Sequence, residues 1–328
     1  MVAQIDRDYV RVTRSRAFVR LASYGLFEGR PPTTRGRFLN RLVFAQLKAA
    51  SSHWAAHAVR QPVFVVGIGR SGTTLLGRLL STHRQVGFLN EPRAMWQLIL
   101  PEHDVSGFYG DTGRYLLTAD DASDEVCETA RSLYSWYAAS TRSSRVVDKY
   151  PELIYRIPFV RQLFSDALFV AIVRAPGATV RSIGTWSEQH GTGGADWWGV
   201  RNVKWSNMQK ELVPRHPDIE SLLQMRIQAT DEDRATVEWV LGMREVAQAR
   251  DAGLLASFVR YEDLVAQPDQ VLRRVLSELD LPLDQRVLTY AKGVITPTPT
   301  SLTRESLTQF GVWAEPVAET ARALGYQF

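Results

Sequence analysis

One stretch, residues 62–80, constrains the fold of this 328-residue chain more than any other. Four apolar and mostly β-branched residues, Val63–Val66, are bounded by Pro62 and Gly67, a pattern typical of a buried strand. Leucines at helical spacing follow directly. The turn between strand and helix holds three glycines within six positions. They let the backbone approach an anion at the positive end of the helix dipole, so the stretch predicts a phosphate-binding turn.

This turn differs from the P-loop of nucleotide triphosphatases at one position. The spacing Gly67-x4-Gly72-Thr73-Thr74 fits that motif, but Thr73 stands where the loop lysine belongs. The cation of the turn is Arg70 instead. Without a lysine for the β- and γ-phosphates, a kinase that uses ATP and magnesium is the weaker interpretation, and a ligand with one bridging phosphate is favoured. A plain βα turn remains as a further alternative.

The run Arg-Ser-Gly-Thr-Thr-Leu-Leu that begins at Arg70 resembles the 5′-phosphosulfate loop of sulfotransferases that use 3′-phosphoadenosine 5′-phosphosulfate (PAPS). It is most similar to tyrosylprotein sulfotransferases and related bacterial enzymes. The resemblance covers roughly residues 61–310. It implies an α/β fold of P-loop type, with three layers and a central parallel sheet of about five strands, and PAPS as cosubstrate without a metal. The donor loop would comprise Gly69, Arg70, Ser71, Gly72, Thr73 and Thr74.

Strands alternate with helices along the chain, which independently favours a parallel, doubly wound sheet. The clearest strand is Leu168–Val173, six apolar residues in a row. Each predicted strand is followed at once by a polar or charged group. Because ligands bind beyond the carboxyl ends of such strands, these groups can meet in space. They are Arg70, Glu91, Lys149, Arg174 and Tyr261.

The resemblance assigns catalytic roles to three of these groups. Glu91, 21 residues after Arg70, corresponds to the catalytic glutamate of tyrosylprotein-type enzymes and is the expected general base. Lys149 lies in Asp148-Lys149-x-Pro151, which resembles the family's catalytic lysine segment. Arg70 and Lys149 are expected to stabilise the charge on the departing phosphate. The structural alternatives are a helix-start acid for Glu91 and a surface lysine in a turn for Lys149.

Other residues resemble the remaining parts of the donor site. Arg174 and Ser182, eight apart, look like the pair that recognises the 3′-phosphate, although Gly177 replaces the acid that often follows the proline of that motif. Tyr261 matches a segment that contributes to the cofactor site, with a buried structural tyrosine as the alternative. A segment near residues 296–304 resembles the one that closes over the donor.

The acceptor site is the least determined part of the sequence. Arg93 follows the proposed base, and Trp197 and Trp198 lie in a glycine-rich loop. Aromatic walls suit sugar rings, quinones and lipids alike. The resemblance therefore implies sulfuryl transfer to a hydroxyl, or less readily an amine, and the acceptor is expected to be a small molecule, a glycan or a lipid. A non-catalytic anion-binding or membrane-adaptor protein is the alternative from another class.

Charge sets a predicted basic helical extension, residues 1–60, apart from residues 61–328, and the resemblance implies that the latter form a sulfotransferase domain. The extension carries a net charge of +8, within an overall +4. Such an arm could contact an anionic membrane surface, or it could be the solvated face of ordinary helices. No nucleic-acid motif accompanies the charge. We expect a cytoplasmic chain, since no signal-peptide core is visible at its start.

Overall fold

The computed structural model describes residues 3–29, 40–54, 59–191, 195–226, 228–296 and 307–328. Its centre is a five-stranded parallel sheet, whose strands lie side by side in the order Val86–Asn90, Arg145–Lys149, Val63–Gly67, Leu168–Val173 and Ser257–Arg260. The predicted α/β fold with a central parallel sheet is thus confirmed. The strands of this sheet are β1 Val63–Gly67, β2 Val86–Asn90, β3 Arg145–Lys149, β4 Leu168–Val173 and β7 Ser257–Arg260, and a separate hairpin pairs β5 Ala195–Asp196 with β6 Gly199–Val200.

The central strand β1 explains why the domain has three layers. Its residues are all buried, and alternate side chains point to opposite faces of the sheet. Phe64 and Val66 belong to the apolar cluster on one face, whereas Val63 and Val65 belong to the cluster on the other. Each fully buried side chain of this kind stabilises the fold by roughly 1.5–3 kcal/mol. A strand that is apolar on both faces therefore needs helices on both.

Helices cover both faces of the sheet, as the alternating pattern predicts. In the described residues none of them is long and apolar enough to cross a membrane. Their bounds are α1 Arg7–Val12, α2 Arg14–Leu26, α3 Asn40–His53, α4 Thr73–Ser81, α5 Arg93–Ile99, α6 Asp124–Thr141, α7 Ile157–Leu163, α8 Pro176–His190, α9 Val203–Glu211, α10 Pro217–Gln224, α11 Asp231–Asp251, α12 Tyr261–Ala266, α13 Pro268–Glu278, α14 Gln285–Val294 and α15 Ala314–Ala323.

The N-terminal helices α1 and α2 pack directly on the sheet domain. The hydroxyl of Tyr9 lies 3.0 Å from Ser81 Oγ, at the end of α4. Arg16 and Arg20 are buried, so part of the arm's positive charge is directed inward. The predicted helical extension is present, while the boundary near residue 60 stays a prediction.

The register of the sheet brings the carboxyl ends of its strands to one edge. Lys149, the last residue of β3, lies opposite Val65 of β1 on one side and Asn90 of β2 on the other. On the far side of β1, Gly67 pairs with Ile172 of β4. The residues that follow β1, β2, β3 and β4 therefore share one edge of the sheet, and this edge holds the candidate site.

Candidate active site

The turn between β1 and α4 has the geometry of an anion cradle. Gly67 and Gly72 adopt φ angles of 144° and 102°, in the region that favours glycine. A Cβ at Gly72 would lie 2.5 Å from the Tyr261 ring, so only glycine fits there. Gly72 is also the N-cap of α4, and no side chain caps this helix. The first amides of α4 are therefore available to a ligand.

The hydroxyls of the turn do not share one role. Ser71 is fully buried, and its Oγ donates a 2.8 Å hydrogen bond to the carbonyl of Ile68. Thr73 is buried as well, at the start of α4, whereas Thr74 is partly exposed. Ser71 therefore holds the shape of the turn, and Thr74 presents the more accessible hydroxyl.

Two arginines meet beside this turn. The Arg70 Nε donates to Ser182 Oγ at 2.9 Å, and Arg174 Nη1 lies 3.4 Å from the Arg70 carbonyl oxygen. Within the described ranges neither guanidinium forms an ion pair with a carboxylate. Burial and the neighbouring Arg174 lower the pKa of Arg70. Two adjacent cations without a counterion, next to a glycine cradle, fit a ligand with two phosphate groups.

Tyr261 completes the part of the site around the two arginines. Its ring lies under the Arg174 guanidinium, with 4.3 Å between the guanidinium carbon and the ring centroid. The same ring packs against Gly72. Tyr261 therefore links two parts of the chain that both face the phosphate cradle. The structure thus brings together the donor residues that the sequence predicts from four separate segments.

The turn that carries Arg174 is supported from distant elements. Helix α8 begins without a side-chain cap, in keeping with the missing acid at Gly177. Glu262 of α12 supplies the acceptor instead, and its Oε1 lies 2.9 Å from the amide nitrogen of Ala175. Trp239 of α11 donates through Nε1 to the Arg174 carbonyl at 2.9 Å. These contacts fix the backbone on both sides of the guanidinium.

Glu91 lies between two cations. Its Oε1 accepts a hydrogen bond from the Lys149 Nζ, and its Oε2 lies 3.1 Å from Arg93 Nη2. Burial alone would raise the pKa of Glu91, but Lys149 and then Arg93 outweigh it and lower the pKa to about 2. The carboxylate is therefore ionised at neutral pH. Lys149 is itself 1% exposed, so it is not a surface lysine in a turn.

A cavity of about 330 Å³ joins the donor turn to Glu91 and continues beyond it. Arg93 and Trp197, two of the predicted acceptor residues, line it. The Trp197 ring lies directly on Gly69, where a Cβ would come within 2.4 Å of it. Glu238 holds Trp197 in place, since its carboxylate accepts from both the indole nitrogen at 2.5 Å and Lys204 at 2.6 Å.

Trp198 is placed differently from its neighbour. It is 1% exposed, packs against Trp205 and does not line the cavity. This geometry gives no support to acceptor contact by Trp198, because its ring lies in the hydrophobic core. The segment proposed to close over the donor falls largely on residues 297–306, which lie outside the described residues.

Several lining residues are not predictable from the sequence motifs. Phe108, Tyr115 and Tyr155 form aromatic walls, and Gln4 of the N-terminal segment and Glu152 add polar groups. The proline in Asp148-Lys149-x-Pro151 marks the loop that carries Glu152 and Tyr155. For the others no local pattern distinguishes a lining residue from a core residue.

The comparisons with known proteins agree with this geometry. A sequence profile described as the Sulfotransferase family matches residues 62–219. Nodulation protein NoeE of Sinorhizobium fredii (strain NBRC 101917 / NGR234) is 27% identical over 232 residues, which is 66% of this chain and 49% of that protein. Protein-tyrosine sulfotransferase A of Caenorhabditis elegans is 23% identical over 252 residues, 75% of this chain and 57% of that protein.

Among solved structures, sulfotransferase STF9 from Mycobacterium avium has the same fold, with a TM-score of 0.51 at 15% identity, over 99% of this chain and 93% of that one. The chain spans about half the length of the curated relatives it matches. The matched segment, residues 62–219, contains the phosphate cradle, Glu91, Lys149, Arg174 and Ser182. Residues 62–219 of this chain are thus similar to the sulfotransferase family, and the chain has the fold of a sulfotransferase.

Proposed function

We propose that this chain transfers a sulfuryl group from PAPS to a hydroxyl, or less readily an amine, of a small-molecule, glycan or lipid acceptor. The observation that carries the proposal is the pair of guanidiniums of Arg70 and Arg174, which have no carboxylate partner among the described residues and flank the amides at the start of α4. PAPS carries phosphate groups on the 3′ and 5′ positions of one ribose, which suits two adjacent guanidiniums.

The residues of the site can be given distinct tasks. PAPS, when bound, supplies the sulfonate and the phosphate that leaves with growing negative charge. The amides from Gly69 to Thr74 and Arg70 bind that phosphate, and Arg174 with Ser182 binds the second one. Glu91 removes the proton of the acceptor hydroxyl. Fixed cations and amides take the place of a metal in this scheme.

Lys149 lies between Glu91 and the helix that follows the phosphate cradle, so it can couple removal of the acceptor proton to departure of the phosphate. Lys149 is hydrogen-bonded to Glu91, and its Cβ packs near Gly77, in the second turn of the helix that follows the cradle. When Glu91 accepts a proton it loses its negative charge, so its attraction for the ammonium group falls. Lys149 is then free to stabilise the negative charge on the leaving group. A carboxylate with a pKa near 2 accepts that proton only late, as the new bond forms.

The first test is calorimetric binding of 3′-phosphoadenosine 5′-phosphate (PAP), the product nucleotide, with chelator present. The wild-type protein should bind PAP without metal, and Arg174→Ala should weaken binding by about 10- to 100-fold, the worth of a charged hydrogen-bonded contact. Arg273→Ala, on the exposed face of α13, is the matched control and should bind like the wild type.

The same titration separates the alternatives. Preference for ATP with magnesium over PAP would favour a kinase. PAP binding without release of PAP from PAPS, in the presence of any acceptor tried, would favour an anion-binding adaptor. Equal affinity of the Arg174→Ala and wild-type proteins for PAP would remove the assignment of Arg174 to the donor site.

We also propose that the outer face of α2 and α3 contacts an anionic membrane surface. Phe18 is 75% exposed and Leu42 is 59% exposed, and the exposed cations Arg14 and Lys48 lie on the same two helices. On α2, Arg14 lies four residues before Phe18 and therefore on the same helix face, and an apolar side chain next to a cation suits an interfacial helix. We propose with it a cytoplasmic location, peripheral to a membrane.

Co-sedimentation with phosphatidylcholine vesicles, with and without phosphatidylserine, tests this contact. Binding should need the anionic lipid and should weaken in Phe18→Ser. Met225→Ser is the control, because Met225 is 73% exposed on another part of the surface. Binding that is absent, or equal for both lipid compositions, would exclude the contact.

A further inference from the structure

A buried ion pair lies behind the strand that leads to the candidate base. Arg20 and Glu28 are each 2% exposed, and Arg20 Nη2 lies 3.0 Å from Glu28 Oε2. A second hydrogen bond joins the other guanidinium nitrogen to Oε1. Both residues precede residues 62–219, the segment that the family profile matches. Because two buried charges are costly to desolvate, such a pair is weak support for stability by itself and suggests another role.

Glu28 holds the turn that leaves β2 at both of its ends. Its carboxylate Oε1 accepts a 2.7 Å hydrogen bond from the amide of Asn90, and its carbonyl oxygen accepts a 2.9 Å bond from the amide of Ala94. Arg20 reaches the same strand, with Nη1 3.4 Å from the Phe88 carbonyl and its guanidinium over the Phe88 ring. The side chains of the ion pair therefore hold the chain immediately before Glu91, and the Glu28 backbone holds it after Glu91.

The gripped turn has a conformation that needs such support. Glu91 has a φ of 49°, in the left-handed region that a residue with a side chain rarely adopts. Its amide donates to the Lys149 carbonyl at 2.8 Å, and the Arg93 amide donates to the Glu91 carbonyl at 2.7 Å. A strained conformation of this kind persists where the surrounding structure holds it, and it commonly lies at functional sites. If the Asn90 amide had no hydrogen-bond acceptor, the turn at Glu91 could relax to a less strained backbone conformation.

The same pair also places an N-terminal residue in the cavity. Gln4 lines it together with Arg70 and Glu91, and its side-chain oxygen lies 3.4 Å from Arg20 Nη2. Like Glu91, Gln4 has a left-handed backbone, with φ of 61°. The N-terminal segment thus contacts the site from two directions, through a lining residue and through the back of β2.

We propose that the Arg20–Glu28 pair is a positioning device that sets the Glu91 turn, so that the N-terminal helices form part of the active site. This proposal rests on the proposed function for the meaning of Glu91, but its test does not depend on turnover. Glu28 acts through the Asn90 amide and touches neither substrate nor donor, so it is a positioning residue and not a catalytic one.

Two double variants isolate the one hydrogen bond that matters. Arg20→Met with Glu28→Gln and Arg20→Met with Glu28→Met both remove the two buried charges and keep similar volumes. Only glutamine keeps an oxygen for the Asn90 amide. The readout is a carbon-13 NMR titration of the Glu91 carboxyl between pH 3 and 6, with its signal assigned by Glu91→Gln.

We expect the Glu91 carboxyl to stay ionised over this range in the wild type and in the glutamine variant. In the methionine variant the Glu91 turn relaxes away from Lys149. The midpoint of the Glu91 titration should therefore rise by about one to two pH units, into the pH range that the experiment covers. PAP affinity, measured in parallel, should be the same in all three proteins because the donor cradle is untouched.

Identical Glu91 titrations in the two double variants would overturn the proposal. If the methionine variant fails to fold, Glu28→Asp replaces it, since aspartate keeps the charge but withdraws the carboxylate from Asn90 by one methylene group. A folded Glu28→Asp protein in which Glu91 titrates as in the wild type would also overturn it. Failure of wild-type PAP binding, in contrast, would count against the proposed function and leave the positioning result intact.

Discussion

At the scale of single residues, the site is organised by the charges around Glu91. The carboxylate has two cationic partners, Lys149 and Arg93, and Lys149 lowers its pKa more than Arg93 does. Because the pKa is below its ordinary value, ionised Glu91 stabilises the fold above about pH 4.5, and this contribution is lost as the pH falls through about 2. Glu91 is thus kept charged by the same lysine that we propose to stabilise the leaving group.

Replacing Lys149 should raise the pKa of the Glu91 carboxyl. Lys149→Met removes the stronger of the two electrostatic attractions on the Glu91 carboxylate, while the carboxylate stays buried. The pKa of Glu91 should therefore rise, and as the pH is lowered its contribution to stability should be lost at a higher pH than in the wild type. Carbon-13 NMR titration of the carboxyl measures this. Lys204→Met is the matched control, because Lys204 is also a buried lysine but is paired with Glu238. An unchanged Glu91 midpoint in Lys149→Met would show that another group controls it.

At the scale of elements, the start of α8 illustrates a helix capped by a distant segment. Its own sequence, with Ala175 before Pro176 and glycine next, supplies no capping side chain. Glu262 caps it from α12, and Tyr326 near the C-terminus donates to the other oxygen of Glu262 at 2.9 Å. Burial, and then the Glu262 carboxylate, raise the pKa of Tyr326, so this contact stays a neutral phenol donating to a carboxylate.

Removing the Glu262 carboxylate should lower PAP affinity, although Glu262 is not one of the residues proposed to bind PAP. In Glu262→Ala the Ala175 amide loses its acceptor, which costs about 1–3 kcal/mol of stability, and the turn that carries Arg174 loosens. PAP affinity should fall by about 3- to 10-fold, less than for Arg174→Ala. Glu262→Gln keeps an oxygen at the same place and should restore most of the affinity. Calorimetry and thermal melting of the three proteins test this, and equal affinity in all of them would contradict it.

At the scale of the whole molecule, the candidate active site and the core share one strand. Lys149 of β3 faces the cavity, while the preceding Asp148 is fully buried on the other face of the sheet. Trp96 Nε1 donates to the Asp148 carboxylate at 2.9 Å, and Tyr134 donates to the same oxygen. Burial raises the pKa of Asp148 to about 7, against these two hydrogen bonds, which lower it. The fold therefore prefers Asp148 in its neutral form.

This preference predicts a pH-dependent stability. Since the pKa of Asp148 is raised from 3.8 to about 7, its favourable contribution is complete below about pH 4 and is lost as the pH rises through about 7. Asp148→Asn should therefore gain stability relative to the wild type between pH 4 and pH 8, by an amount on the order of 1–4 kcal/mol. Urea unfolding at several pH values measures it, with the exposed Asp111→Asn as control. A constant difference across this range would mean that Asp148 does not titrate there.

The sequence by itself determined the elements of the sheet and the residues that follow its strands. Apolar runs bounded by Pro62, glycines and charges are local signals, and the strand Leu168–Val173 has the predicted bounds. The rule that strand ends converge was enough to expect Arg70, Glu91, Lys149, Arg174 and Tyr261 near one edge, and the structure places them there.

Only the tertiary structure decided which side chains complete the site. Several features of the site join residues that are far apart in the chain. They are the strand order, the pairing of Lys149 with Glu91, the hydrogen bond from Ala175 to Glu262, and the hydrogen bond from Asn90 to Glu28. No local sequence pattern encodes such pairs, because the sequence around a charged residue does not show whether its side chain is buried or exposed. Trp197 and Trp198 make the same point, since identical neighbouring side chains lie at the cavity and in the core. Local propensity fixes where strands and helices form, whereas long-range packing fixes which groups meet.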